Sequence, residues 1–190
     1  MTFNFVSNLQ EHQLLFHNLS ALELVVNQAG ALISKAFVSG NKLMLCGNGG
    51  SAADSQHIAA EMTGRFIKDR KPLPAIALTT DTSTLTCIAN DYSFEHVFAR
   101  QVSALGRPGD VLLAISTSGN SENVIKAMQA AKDLSIKTVA LTGRDGGRIK
   151  SLADFSIVVP SLTTARIQEA HIFIGHIICG LIEKDLGFCD

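Results

Sequence analysis

Residues 42–61, KLMLCGNGGSAADSQHIAAE, decide the fold of this chain, because they combine the patterns of a strand, a glycine turn and a helix. Lys42–Cys46 is a short apolar run, and the next four residues are glycines and an asparagine, which tolerate positive φ. Ser51 then stands where a helix N-cap belongs, in front of the good helix formers Ala52 and Ala53. The stretch therefore predicts a strand–loop–helix unit whose loop can bind an anion.

A second unit of the same kind occupies Asp110–Leu134. The apolar strand Val111–Ile115 leads into STSGNS at Ser116–Ser121, and the amphipathic run Val124–Ala131 follows. Hydroxyl groups and the free N–H groups of a helix start are the donors that a phosphate dianion needs, and the absence of a Walker lysine favours a sugar phosphate over a nucleotide. Either loop alone is also typical of a plain strand-to-helix connection, so the phosphate hypothesis depends on both loops lying at the carboxyl ends of parallel strands.

The rest of the chain continues this alternation of strands and helices. Further strands are predicted at Pro74–Thr79, Lys137–Leu141 and Phe155–Val159. Further helices are predicted at Asn8–Ser39 as a hairpin-like segment, Ser83–Ala89, Glu95–Leu105 and Arg166–Leu186. The pattern predicts an α/β fold, a three-layer, flavodoxin-like sheet of five parallel strands with extra N-terminal helices and a long C-terminal helix. We expect a single domain over residues 1–190, in which the helices of residues 1–40 serve packing and oligomerisation.

Composition limits the functional classes that are open to the chain. It has 190 residues, 46% of them hydrophobic and 17% charged, with a formal charge of −1 and no block of basic residues, which argues against nucleic acid as an obligatory partner. No stretch approaches the roughly 20 apolar residues of a membrane span, and the N-terminus has no signal-peptide pattern, so we expect no membrane partner. The four cysteines have neither CxxC spacing nor disulfide-scaffold density, which indicates reduced thiols in the cytoplasm.

Two groups of side chains have the chemistry of a metal or acid–base site. His57 and Glu61 lie four residues apart on the first predicted loop helix, so both can reach one point, although an exposed i,i+4 pair has the same spacing. The predicted C-terminal helix contributes further ligand-type groups, Gln168, Glu169, His171 and His176. A histidine amid isoleucine, phenylalanine and glycine is usually a core residue. Periodicity alone therefore does not establish a metal site.

Several motifs together resemble the sugar isomerase (SIS) family over nearly the whole chain. They are CGNGGS at Cys46–Ser51, the His57 and Glu61 pair, IANDYS at Ile88–Ser93, GDVLLAISTSGNS at Gly109–Ser121, VALTGRDGG at Val139–Gly147, and ARIQEAH with a later histidine at Ala165–His176. The resemblance implies the SIS fold and a cytoplasmic homotetramer with active sites near subunit interfaces. It also implies interconversion of D-sedoheptulose 7-phosphate and D-glycero-D-manno-heptose 7-phosphate through an enediolate, the first step towards ADP-heptose for the lipopolysaccharide core.

Carried over residue by residue, the resemblance also predicts the site. It implies one Zn²⁺ per subunit, with ligands at His57, Glu61, Gln168 and His176. It implies Glu61 as general base and His176 as general acid. The expected substrate contacts are Asn48, Gly49, Gly50, Ser51, Glu61, Arg65, Asn90, Asp91, Ser116, Thr117, Ser118, Ser121 and Gln168. One departure exists, since Ala165 stands where some family members carry an aspartate.

Other functions share parts of this pattern. A SIS-fold adaptor that binds the bacterial replication initiator DnaA would share the serine loop, Ser116–Ser121, and the ARIQE motif but lack the full set of metal ligands and base. A phosphosugar sensor would bind the sugar phosphate without turning it over. An isomerase for another ketose phosphate also fits, because the loop residues do not specify how many carbons the sugar has.

Overall fold

A parallel sheet of five strands forms the centre of the computed structural model, which describes residues 4–189. The strands are β1 Leu43–Gly47, β2 Ala75–Ala77, β3 Val111–Ser116, β4 Lys137–Gly143 and β5 Phe155–Val159. Their order is β2-β1-β3-β4-β5, with every neighbouring pair parallel. This is the flavodoxin-like order, and it confirms the predicted sheet. The strands β1 and β3 are buried along their whole length, as expected for a sheet covered on both faces.

Seven α-helices cover the two faces of the sheet within these residues. They are α1 Phe5–Asn18, α2 Glu23–Val38, α3 Gly50–Thr63, α4 Thr82–Asp91, α5 Ala99–Leu105, α6 Glu122–Asp133 and α7 Thr164–Asp185. Short 3₁₀ helices occupy Leu19–Leu22, Phe94–His96 and Arg148–Ser151. Alternate strand residues belong to different cores: Leu113 lies in the core that also contains residues of α1, α2, α3 and α7, whereas Leu112 lies in the core that contains residues of α4, α5 and α6. The sheet thus separates two apolar layers.

The N-terminal segment differs from the predicted hairpin. Its residues keep helical φ and ψ through the 3₁₀ turn at Leu19–Leu22, so α1 and α2 form an almost continuous helical run. By length and composition the run Phe5–Val38 is apolar enough to cross a membrane, which corrects the expectation that no stretch approaches this limit. Buried residues such as Val26 and Ile33 pack in the same core as α7, as in the core helix of a globular protein.

The predicted helix over Glu95–Leu105 is broken into two pieces. A 3₁₀ turn spans Phe94–His96, and α5 begins only at Ala99. Two side-chain contacts hold the turn: Ser93 Oγ lies 2.9 Å from His96 Nδ1, and Lys126 on α6 pairs with Glu95 at 2.7 Å. These contacts favour a tight turn over a continuous α-helix, and helical periodicity alone does not reveal them.

Candidate active site

The two glycine- and serine-containing loops leave the sheet side by side. Gly47 at the end of β1 is in register with Ile115 near the end of β3. The strand order reverses between β1 and β3, and open α/β sheets bind their ligands at such a point. Each of Asn48 and Asn123 donates its side-chain N–H to the other's amide oxygen, both at 2.9 Å. This reciprocal pair fixes the first loop against the start of α6.

Ser51 is not the N-cap of α3, contrary to the sequence prediction. Gly49 occupies that position with φ +56°, and the helix begins at Gly50. The positive φ of Gly49 reverses the chain direction, so the helix begins earlier than predicted. Ser51 then faces inward and is only 3% exposed. Ser51 packs beneath Gly47, where an added methyl group would lie 2.8 Å from Ser51 Cβ. Any contact between Ser51 and substrate stays a prediction.

The second loop presents hydroxyl groups at the start of α6. Ser116 Oγ and Ser121 Oγ are 3.0 Å apart, and Ser118 Oγ accepts a hydrogen bond from the backbone N–H of Asn120. Gly119 has φ +66°, and a methyl group there would lie 2.0 Å from the carbonyl oxygen of Gly146. A glycine is therefore required for the close approach of the two turns. The first N–H groups of α6 have no partner within the helix, as at any helix start, and suit an anion.

Three of the four predicted metal ligands lie together between α3 and α7. His57 Nε2 is 3.3 Å from Glu61 Oε1 and 3.3 Å from His176 Nε2. The side chain of His57 is 47% exposed and that of Glu61 23% exposed, so the cluster is open to a ligand. Phe66 stacks on His176, with ring centroids 5.5 Å apart and an interplanar angle of 19°. Sequence analysis missed Phe66, because its contact joins a loop to a distant helix.

The chemistry of this donor set fits zinc. Zinc takes imidazole nitrogen and carboxylate oxygen in tetrahedral geometry at about 2.0–2.1 Å, which places neighbouring donors about 3.3 Å apart. Both contacts of His57 Nε2 have this spacing. Within residues 4–189, however, no three His, Cys, Asp or Glu side chains are gathered into a complete metal-binding group. The four-ligand zinc site stays a prediction.

Gln168, the fourth predicted ligand, lies at the other end of the contact between α3 and α7. A methyl group on Gly50 would come within 2.4 Å of Gln168 Nε2, so α7 passes directly against the start of α3. Further along, Ile58 packs on Gly175, and His57 meets His176. The two helices therefore run side by side, with Gln168 next to the first loop and His176 next to the pair of His57 and Glu61.

Replacing Gly50 with Ala should lower turnover while leaving the fold intact. The added methyl group displaces the flexible end of Gln168, which costs little stability, but it moves a polar group at the site, and we expect at least about a 10-fold loss in kcat/KM. Steady-state kinetics and thermal unfolding of the variant measure both effects. Gly30→Ala adds the same carbon to α2, against Leu181, and serves as the control. Wild-type kinetics in Gly50→Ala would contradict the expectation.

Three predicted substrate residues are not joined to this cluster. Asn90 and Asp91 lie exposed at the end of α4, where the Asn90 side-chain N–H donates to Asp91 Oδ1 at 2.8 Å. Arg65 is exposed and donates to the carbonyl oxygen of Ile67 at 3.3 Å. Over the described part of the chain, none of them hydrogen-bonds to either loop or to His57. Their contact with substrate stays a prediction.

Two other polar residues of α7 serve packing. His171 is buried and donates from Nε2 to the carbonyl oxygen of Thr142 at 3.0 Å, and burial lowers its pKa to about 4 although this hydrogen bond opposes the shift. Glu169 binds Arg166 on its own helix and His12 on α1. Both residues therefore connect α7 to the rest of the fold, and His171 is the core histidine that its apolar surroundings indicate.

Asp54 is a polar neighbour that sequence analysis missed. It precedes His57 by three residues on α3, a spacing that would have signalled proximity. Burial raises the pKa of Asp54 to about 6, and the charge of His57 opposes the shift. Its Oδ2 atom is buried and has no hydrogen-bond partner within residues 4–189. Asp54 thus adds a second carboxyl group to the surroundings of His57.

Comparison with known proteins adds a family to this geometry. The SIS domain family matches residues 9–143. The chain is 58% identical to a phosphoheptose isomerase of Nitratiruptor sp. over 93% of its length and 95% of that protein, and 55% identical to one of Aquifex aeolicus over 92% and 90%. The structure of a phosphoheptose isomerase from Neisseria gonorrhoeae superposes with a TM-score of 0.90 at 48% identity, covering 94% of this chain and 96% of that one.

Proposed function

The chain belongs to the SIS domain family and is a phosphosugar isomerase, and from this premise we propose that it interconverts D-sedoheptulose 7-phosphate and D-glycero-D-manno-heptose 7-phosphate. The single observation that carries the proposal is the position of Glu61. Its carboxylate lies 3.3 Å from His57, and His57 in turn lies 3.3 Å from His176. Glu61 and His57 are both on α3, the helix that begins at the first loop. The proposed base and acid thus lie on two adjacent helices, α3 and α7, and α3 begins directly at the first glycine loop.

We propose that the serine loop, Ser116–Ser121, holds the phosphate group of the substrate. The hydroxyls of Ser116 and Ser121 converge at 3.0 Å, and the start of α6 adds N–H donors and the positive end of its dipole. A phosphate bound there is remote from the carbons that react. Its binding energy orients the sugar, so that C1 and C2 are held against Glu61.

Isomerisation needs one proton moved between C1 and C2 and another between the two oxygens. We assign the proton transfer at carbon to Glu61, which acts as general base and leaves an enediolate. We assign the proton transfer between the two oxygens to His176, which acts as general acid. Each contributes about 10²–10⁴-fold. Glu61 Oε1 lies 3.3 Å from His57 Nε2, which places the proposed base beside the proposed acid's neighbour.

His57, Glu61, Gln168 and His176 would hold the proposed Zn²⁺. When bound, the ion would supply polarisation of the sugar carbonyl and its neighbouring hydroxyl. A metal-bound carboxylate is a weaker base, so Glu61 must either use separate oxygens for the two roles or leave the metal when substrate binds.

We further propose that the protein works as a cytoplasmic homotetramer at the start of ADP-heptose synthesis for the lipopolysaccharide core. All four cysteines are free, which suits a reducing compartment. Exposed apolar side chains, including Leu24 at 72%, Phe173 at 41% and Ile177 at 41%, lie on α2 and α7. They offer apolar surface to further copies of the chain.

Proton NMR of sedoheptulose 7-phosphate in D₂O with the purified protein tests the proposal. We expect an aldoheptose 7-phosphate to appear together with deuterium at the carbon that exchanges, and more slowly after metal is stripped than with zinc restored. Fructose 6-phosphate in a parallel sample tests the choice of sugar. Tight binding of sedoheptulose 7-phosphate without exchange would instead identify a sensor, and equal rates on both sugars would contradict the heptose assignment.

A further inference from the structure

The loop between α3 and β2 turns back over α7 and places an aromatic ring on His176. The rings of Phe66 and His176 are nearly parallel, at 19°, with centroids 5.5 Å apart. Phe66 also extends one helical turn further along α7, where its Cε1 would lie 3.6 Å from a methyl group on Gly180. The side chain of Phe66 therefore covers the face of the imidazole and the helix surface next to it.

Glu183 fastens this loop to α7. Its carboxylate accepts backbone N–H groups from Phe66 at 3.0 Å, Ile67 at 3.1 Å and Lys68 at 3.4 Å. Glu183 has a fully buried side chain and lies seven residues beyond His176, two turns along the same helix face. The helix that presents His176 thus also carries the anchor of the loop that covers it.

Arg70 fastens the same loop to α3. Its Nε donates to Glu183 at 2.9 Å, and its terminal nitrogens donate to the carbonyl oxygens of Glu61 at 2.7 Å and Met62 at 2.8 Å. Those carbonyls belong to the last turn of α3, whose orphan acceptors a cation satisfies well. Because both ends of the loop are tied, Phe66 is held in one place relative to Glu61 and His176.

We propose that Phe66 is a positioning residue for His176, an inference that rests on the proposed isomerase function. A histidine side chain has two rotatable bonds, and two contacts are needed to fix the plane and the edge of its ring. Phe66 holds the plane by stacking, and His57 meets the edge at 3.3 Å. Without Phe66 the ring turns about its bonds, and the imidazole holds the orientation seen here, with its edge against His57, for a smaller share of the time.

The test compares Phe66→Leu with Phe66→Tyr, which keeps an aromatic ring, and with Phe155→Leu, which removes a ring from the edge strand β5. For Phe66→Leu we expect kcat to fall about 10–100-fold with less than about 3-fold change in KM. Phe66→Tyr should stay within about 3-fold of wild type. A wild-type kcat in Phe66→Leu, or equal losses in Phe66→Leu and Phe155→Leu, would overturn the proposal.

A second measurement separates this proposal from the proposed function. In proton NMR of the substrate-free protein, the stacked ring should shift the His176 Cε1–H resonance, assigned with His176→Gln, and Phe66→Leu should remove that shift. An unchanged resonance in Phe66→Leu would contradict the positioning role. This result does not depend on turnover, so it tests the stacking of Phe66 on His176 even if sedoheptulose 7-phosphate proves not to be the substrate.

Discussion

Replacing Glu61 with Gln should abolish turnover of sedoheptulose 7-phosphate, to below about one thousandth of the wild-type kcat. The amide keeps the shape of the side chain but cannot accept the carbon proton. The fold should persist, because the Glu61 side chain is partly exposed and, within residues 4–189, makes only one ion-pair contact, to His57. Binding of inorganic phosphate to the serine loop should also persist. Substantial residual turnover would remove Glu61 from the base role.

His57→Gln separates the base role of Glu61 from its predicted role in metal binding. Both variants change one predicted zinc ligand to glutamine, but only Glu61→Gln removes the base. We therefore expect Glu61→Gln to be the slower variant at saturating zinc, and zinc content measured on each purified protein shows how much metal it retains. Equal loss of kcat in the two variants would assign the whole effect to the metal and contradict base catalysis by Glu61.

Replacing Glu183 with Gln should cause the largest loss of stability, roughly 3–5 kcal/mol, because it breaks a buried ion pair and leaves Arg70 uncompensated. An amide nitrogen would also face the N–H groups that the carboxylate accepts. Urea unfolding at fixed protein concentration measures the loss. Glu122→Gln removes an exposed partner of Arg148 and should cost about 1 kcal/mol or less. Similar losses in both variants would contradict a special role for the buried pair.

Acid should reveal the same ion pair in the wild type. Burial alone would raise the pKa of Glu183, but hydrogen bonds from the loop N–H groups and Arg70 outweigh it and hold the pKa below its usual value. A carboxyl group with a lowered folded-state pKa stabilises the protein above its unfolded pKa, and this contribution is lost as the pH falls through the folded value. Wild-type stability should therefore fall more steeply in acid than that of Glu183→Gln.

The sequence predicts those parts of the molecule that local patterns encode. Apolar runs and their spacing mark all five strands, and Phe155–Val159 has the predicted bounds. The i,i+4 spacing of His57 and Glu61 places both on one helix face, and the structure keeps them 3.3 Å apart. The N-cap of α3 was misplaced because Gly49 adopts a positive φ. Residue type permits that conformation, but only the surrounding packing selects it.

Contacts between distant segments are the part that the sequence does not reveal. Asn48 and Asn123 are 75 residues apart, and Arg70 and Glu183 are 113 apart. Nothing in the composition around Arg70 indicates that it satisfies the end of α3. Phe66 likewise occurs in an exposed, polar loop sequence, and its stacking on His176 depends on how that loop is anchored. Such pairs are fixed by tertiary packing.

The reciprocal amides of Asn48 and Asn123 have a consequence for how this protein tolerates substitution. A change at either position leaves the side-chain N–H and amide oxygen of the other asparagine without their partners, next to the two loops. We therefore expect the two positions to be coupled, so that the losses of stability from the two single substitutions add up to more than the loss when both asparagines are replaced together.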